Sequence, residues 1–234
     1  MTRESDPSTA DDDTAGEPAG DKTDTLAAAV ARHNLALPDD QLELLDEYCH
    51  ALWEWNTKIN LTRHTDYEKF VARDLVDSLA LAELLEPDWR VLDVGTGGGV
   101  PGVVLAIIRP DLDVVLVESV GKKARVVTDI VEQLGLPTVV HHDRAEKVVA
   151  REKFDALLVR AVAPLERLLT WFEPYWSNIG RLLVIKGPAW VAERHAARER
   201  GLLNRLELRR VAAYPLHEDS TESVVLSISP KKKK

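Results

Sequence analysis

The chain has 234 residues, 45% hydrophobic and 29% charged; it can bury one sizeable core, and collagen-like or wholly disordered classes are excluded. A single cysteine, Cys49, excludes an internal disulfide framework and fits a reducing, cytoplasmic setting; no apolar run approaches the ~20 residues of a membrane span, and the opening stretch MTRESDPSTADDDT lacks a secretory apolar segment. Of the net charge of −9, residues 1–24 hold −6 and Lys231 to Lys234 hold +4; an acidic body over 25–230 argues against broad nucleic-acid binding but leaves room for a local basic face.

In chain order, residues 1–24 are rich in Asp, Thr, Gly, Pro and Ala without apolar periodicity and are predicted to form a disordered acidic tail. Residues 25–86 are predicted to be an N-terminal helical extension. LAAAVARHNL is a short amphipathic stretch, and Pro38-Asp39-Asp40 opens a helix with Leu42, Leu45, Leu52 and Trp53 at helical spacings. Asp66 caps a third helix, with Phe70, Leu75, Leu79 and Leu81 on its apolar side and Pro87 as its stop.

After Pro87 the rhythm alternates between strand and helix, defining a third unit over 87–230. Strands are expected at 91–94, 114–117, 139–141, 156–159 and 182–185, and helices at 101–108, 122–134, 165–172 and 189–204. Two β-rich segments, 206–213 and 223–229, are close enough to pair antiparallel. The series predicts an α/β fold: a mainly parallel sheet with helices on both faces, whose ligands bind outside the carboxyl ends of the strands. Residues 231–234 form a basic tail, suited to brushing phosphates or to solubility.

The first strand runs into Asp93-Val94-Gly95-Thr96-Gly97-Gly98-Gly99-Val100-Pro101-Gly102. G-x-G-x-G fits Gly95, Gly97 and Gly99, and G-x-G-x-x-G fits Gly97, Gly99 and Gly102, so the glycines alone choose no cofactor. Two acids narrow the choice. Asp93, just before the turn, suits a cationic ligand better than a pyrophosphate. Glu118 ends the next strand, where a carboxylate can accept both hydroxyls of a ribose. A ribosyl ligand between two acids, with no base in the turn, favours S-adenosylmethionine over NAD.

Several further motifs stand in order: Trp55-Asn56-x3-Asn60-Leu61-Thr62, Asp77-Ser78-Leu79, Glu118-Ser119 with Lys122-Lys123, Arg144-Ala145-Glu146, Arg160-Ala161-Val162-Ala163-Pro164-Leu165, and Lys186-Gly187. With the glycine turn, this set resembles the small-subunit ribosomal RNA methyltransferase G family, also called glucose-inhibited division protein B, over roughly Gln41 to Gly187. The resemblance implies a Rossmann-like class I S-adenosylmethionine-dependent methyltransferase that methylates N7 of a guanine in 16S ribosomal RNA. It implies cofactor contacts from Asp93, Gly95, Thr96, Gly97 and Val100, a ribose partner in Glu118, an adenine flank in Ala145 and Glu146, and Arg160 at the reaction centre as a positioning residue that also contacts the cofactor. The family often has histidine where this chain has Asp74, and a larger Phe or Leu at Val100.

The residues agree with that chemistry in part. Methylation at a pyrimidine C5 needs a thiol, and Cys49 sits in a predicted amphipathic helix far from the turn. Exocyclic amine methylation commonly uses an Asn/Asp-Pro-Pro-Tyr-like loop after the fourth strand; here Arg160-Ala161-Val162-Ala163-Pro164 follows it. Guanine N7 carries a free lone pair and no proton, so no general base is expected and alignment suffices. Arg160 is expected at the carboxyl edge, on phosphate or a guanine edge, or in an ion pair with Asp155 or Glu146. Lys122, Lys123, Arg125 and Lys186 are expected to form a basic rim for RNA phosphates. Asn56 and Asn60 can orient their segment against the site or cap a helix end, and the aromatics of the extension can stack on a base or pack in its core. The seven histidines have no metal-ligand spacing, so no metal is expected, and the partner is 16S rRNA or the small ribosomal subunit, met by a monomer. A small-molecule methyltransferase and a non-catalytic nucleotide-binding module also fit the glycine turn taken alone.

Overall fold

Alternating Val and Leu residues build the central strands by sending successive side chains to opposite faces. In β2 (Asp113–Glu118), Val114 and Leu116 join one buried cluster and Val115 and Val117 the other. β1 (Arg90–Val94), β3 (Val139–His142), β4 (Phe154–Arg160) and β5 (Ile179–Lys186) lie parallel to it. β6 (Leu206–Leu216) and β7 (Asp219–Pro230) form the expected antiparallel hairpin. The sheet order is β3-β2-β1-β4-β5-β7-β6, with β7 antiparallel to β5. The order reverses between β1 and β4, which opens a crevice at their carboxyl ends. The computed structural model describes residues 24–216 and 219–231; of the predicted disordered tail 1–24, residues 1–23 lie outside the described residues, as do Lys232 to Lys234 of the basic tail.

One face of the sheet is covered by α5 (Gly102–Ile108), α6 (Gly121–Gln133) and the N-terminal helices. These are α1 (Leu26–Arg32), α2 (Asp39–Asn56) and a bent helix made of α3 (Tyr67–Lys69), a π-helical stretch (Phe70–Leu75) and α4 (Val76–Ala82). Thr25 caps α1, its hydroxyl accepting from the Ala28 amide, and Asp66 caps α3 as expected, accepting from the Lys69 amide at 2.8 Å. The extension shares one core with the sheet, since Leu45, Leu52 and Phe70 belong to the same buried cluster as Val91 and Ile185. Each such side chain contributes about 1.5–3 kcal/mol by leaving water. Tyr48 is fully buried against Phe70 and donates to the Gly98 carbonyl at 2.9 Å, so the extension rests on the glycine turn itself. Cys49 is buried beside it; burial pushes its thiol well above the usual range, consistent with a packed, unreactive side chain.

The other face carries α7 (Ala145–Val149), α8 (Leu165–Phe172), a 3₁₀ turn (Glu173–Asn178) and α9 (Trp190–Glu199). Three differences from expectation have local causes. The helix predicted over 189–204 ends at Glu199, because the chain turns at Gly201 with φ +74°. α7 was not expected, being too short to show a period. The π-helical stretch is also new: one widened turn carries Asp74 into the interior, and the Ser78 hydroxyl donates to the Asp74 carbonyl at 2.7 Å.

Candidate active site

The glycine turn leaves β1 and curls over β2, with the amides of Gly95 and Thr96 both donating to the Val117 carbonyl (2.8 and 3.1 Å). Gly95, Gly97 and Gly99 take φ values of +67°, +60° and +109°, open to glycine and strained for other residues. Gly102 is required for space: a β-carbon there would lie 2.1 Å from Leu116 Cδ2 and 2.7 Å from Asp93 Oδ2. Asp93 sits beneath the turn and not on its open side. It is buried, and its Oδ2 accepts from the Gly102 amide at 2.9 Å, tying the strand to the first residue of α5. The structure thus gives it a bracing contact that the sequence did not announce.

Burial pushes the Asp93 carboxyl up to about 6, against hydrogen bonds from the turn and the attraction of Arg160. An unfolded carboxyl titrates near ~3.9, so the folded state holds the proton more tightly. The stabilisation this gives is complete below about pH 4 and is lost as pH rises through about 6. Asp93→Asn keeps an acceptor for Gly102 and removes the titration. Relative to wild type its unfolding free energy is expected to rise by about 2–3 kcal/mol between pH 4 and pH 7, measured by urea denaturation at both.

Glu118 ends β2, buried beside the turn, with Oε2 accepting from the Gly97 amide (3.0 Å) and Oε1 from the Val120 amide (2.8 Å). Next to it opens a cleft of about 260 Å³ floored by Val94, Gly95 and Val117. Ala145 and Glu146, at the start of α7, form one wall, and Val162, Arg167 and Trp171 the other. A β-carbon on Gly95 would reach within 3.1 Å of Val162 Cγ2 and narrow this cleft. The structure therefore brings Gly95, Ala145 and Glu146 together beside Glu118. Val100 lies apart from the cleft lining, half-buried and packed with the cluster of the helical extension. Trp171 and Val162 were not anticipated; apolar residues flanking the loop after β4 were the only signal for them.

Arg160 ends β4, across the crevice from the turn. Its partners are neither Asp155 nor Glu146. Asp155 lies at the far end of β4 and accepts from the Arg90 amide, whereas Arg160 binds Asp74 through Nη2 (2.5 Å) and Asp77 through Nε (3.1 Å). Tyr214 of β6 donates to Asp77 Oδ1 at 2.7 Å, and His64 Nδ1 lies 2.9 Å from Asp74 Oδ1. Burial alone would lower the Arg160 pKa, but the two carboxylates outweigh it and hold the guanidinium charged. Burial raises the Asp77 carboxyl, opposed by Arg160 and Tyr214. His64 and Tyr214 were missed in the sequence, which gives no periodic or spacing signal for contacts so far apart along the chain. An imidazole thus reaches Asp74, the position at which the resembled family often has histidine, from ten residues upstream.

The expected basic rim is split. Lys186 Nζ is engaged by Glu193 (2.7 Å) and by the Ala163 carbonyl (2.8 Å), so its charge is already paired. Lys122, Lys123 and Arg125 open α6 after β2, which β1 and β4 separate from β5 by about 14 Å of sheet. They make no ion pair among the described residues, and Lys122 and Arg125 are exposed. Asn56, the last residue of α2, pins the loop that follows instead of capping the helix, Oδ1 accepting from the amides of Leu61 (2.8 Å) and Thr62 (3.0 Å). Trp53 and Tyr67 pack edge to face with centroids 5.0 Å apart, half-buried against the extension.

A mainly parallel sheet, a glycine turn at the switch point and an acid at the end of β2 define a Rossmann-like class I methyltransferase. A mutant of MtNAS solved in complex with S-adenosylmethionine shares the fold with a TM-score of 0.53 at 19% identity, over 90% of this chain and 86% of that one. Residues 41–220 match the GidB family model, described as rRNA small subunit methyltransferase G. Ribosomal RNA small subunit methyltransferase G of Rhodopirellula baltica is 48% identical over 188 residues, 80% of this chain and 81% of that protein. The enzyme of the same name from Clostridium novyi is 37% identical over 71% of each chain. The chain belongs to this family, and it is an S-adenosylmethionine-dependent methyltransferase.

Proposed function

We propose that the chain transfers the methyl group of S-adenosylmethionine to N7 of a guanine in 16S ribosomal RNA. The observation that carries this reading is the crevice between β1 and β4, where an open glycine turn and a buried carboxylate face an ion-paired arginine. The bound cofactor supplies an electrophilic methyl group on a sulfonium. Glu118 holds the ribose: each of its oxygens already accepts one amide and retains a lone pair for a hydroxyl. Gly95, Thr96, Gly97 and Val100 shape the methionine side, and Asp93 acts from beneath. Ala145 and Glu146 flank the adenine in the cleft that Trp171 closes. Arg160 positions the RNA, and no residue needs to take a proton from N7.

Lys122, Lys123 and Arg125 contact RNA phosphates, without Lys186. Residues 25–86 act as the RNA-side extension of a catalytic unit over 87–230, working as a monomer on 16S rRNA or the small subunit in the cytoplasm. No described helix is long and apolar enough to cross a membrane. The test is transfer of labelled methyl from S-adenosylmethionine to small-subunit rRNA from cells lacking this protein, offered naked and as particles. Labelled N7-methylguanine is expected; no label despite measured cofactor binding would overturn the reading. Glu118→Ala is expected to weaken cofactor binding by about 10- to 100-fold, the worth of a hydrogen bond to a charged group, read by calorimetry.

A further inference from the structure

Two atoms in the cluster around Arg160 stand unsatisfied. Nη1 of Arg160 and Oδ2 of Asp74 are both buried, and neither has a hydrogen-bond partner among the described residues. Buried polar groups are nearly always paired, so each such atom calls for an explanation. These two belong to side chains that already touch through Nη2 and Oδ1. A guanidinium and a carboxylate in contact commonly lie fork to fork, with two parallel N–H···O bonds. That second bond would satisfy both atoms at once, and it is not made.

The contacts around the pair oppose closure. Nε of Arg160 is held by Asp77, which Tyr214 holds in turn. Oδ1 of Asp74 is held from the other side by His64. The backbone of His64 is itself fixed: its amide donates to Thr62 Oγ1 (3.0 Å), its carbonyl accepts from Trp53 Nε1 (2.8 Å), and Asn56 secures the two residues before Arg63.

We propose that His64 is a positioning residue for methyl transfer: by holding Asp74 Oδ1 it keeps the Asp74–Arg160 pair from closing into a fork, and so holds the guanidinium of Arg160, whose side chain is 17% exposed, in the orientation that meets the RNA. A ring with its proton on Nδ1 donates to Asp74 Oδ1. The inference rests on the reading of Arg160 as the residue that meets the RNA.

His64 has a side chain 23% exposed against 2% for Asp74, so it can be replaced with less disturbance of the core. His64→Leu is expected to lower kcat on 16S rRNA by about 10- to 100-fold, as a misplaced positioning group does, with cofactor affinity unchanged. His64→Asn, whose amide nitrogen can donate from nearly the same place, is expected to keep kcat several-fold above that of His64→Leu. A crystal structure of His64→Leu should show Nη1 of Arg160 on Oδ2 of Asp74. Wild-type kcat in His64→Leu, equal losses in both variants, or an unmoved Arg160 would each overturn the proposal. If the wild-type enzyme labels no 16S rRNA, the reading of Arg160 fails, and the position of Nη1 in His64→Leu still decides whether His64 holds the pair open.

Discussion

Arg160→Ala is expected to lower the rate of methyl transfer by at least about 100-fold while changing cofactor affinity by only a few-fold. The arginine ends β4 on the far side of the crevice from Glu118, and its groups face Asp74 and Asp77, not the adenine cleft. The same change removes the one guanidinium between two carboxylates that are each 1% exposed. Stripping one partner from a buried ion pair costs about 3–5 kcal/mol, so the alanine variant should also melt lower. Arg160→Lys separates the two effects. It retains the charge, and with it most of the stability, but an ammonium cannot span both carboxylates as the guanidinium does. Its transfer rate is expected to fall nearly as far as that of the alanine variant. Single-turnover transfer, calorimetric binding of S-adenosylmethionine and thermal melts distinguish the outcomes. Equal losses of binding and transfer would remove Arg160 from the RNA side.

Gly102→Ala is the second large effect, and it acts through space. The new methyl group would lie 2.1 Å from Leu116 Cδ2, 2.7 Å from Asp93 Oδ2 and 2.9 Å from Asp93 Cβ. None of these is the end of a long, free side chain: Leu116 is fully buried in β2 and Asp93 is tied to the Gly102 amide. Overpacking of this kind costs about 1–3 kcal/mol, or roughly 2–12 °C in melting temperature for a chain of this length. Relief requires α5 to back away from β1, which would pull Gly99 and Gly97 out of place above Glu118. Cofactor affinity should therefore fall along with stability. A Gly102→Ala protein that melts and binds like wild type would contradict the packing described here.

The turn and its strand were legible because their cause is local. Three glycines at positive φ, a strand of Val and Leu before them and an acid ending the next strand all lie within one βαβ unit. The hairpin of β6 and β7 was legible for a similar reason, two β-rich runs separated by a short polar stretch. The environment of Arg160 was not. Its partners come from 86 and 83 residues upstream, and Tyr214 comes from the last hairpin; no periodicity reports such meetings. The pairing of Lys186 was not legible for a related reason. Glu193 lies on α9, yet it turns to Lys186 and to the Leu165 amide, contacts that no spacing along the helix reports. The place of Asp93 along the chain was legible, but its bond to the Gly102 amide was not, because strand position does not say which face of a loop a carboxylate serves.

The bond between Tyr214 and Asp77 spans 137 residues, joining the last hairpin to the helix that precedes the sheet. A ribosome making this protein would release the glycine turn, Glu118 and Arg160 well before the phenol emerged. Until then Asp77 would share Arg160 with Asp74 without its own donor. The cluster around Arg160 is thus finished by a segment made well after the glycine turn, so that a polypeptide stopped before Tyr214 carries the turn and Glu118 without a settled Asp77–Arg160 contact.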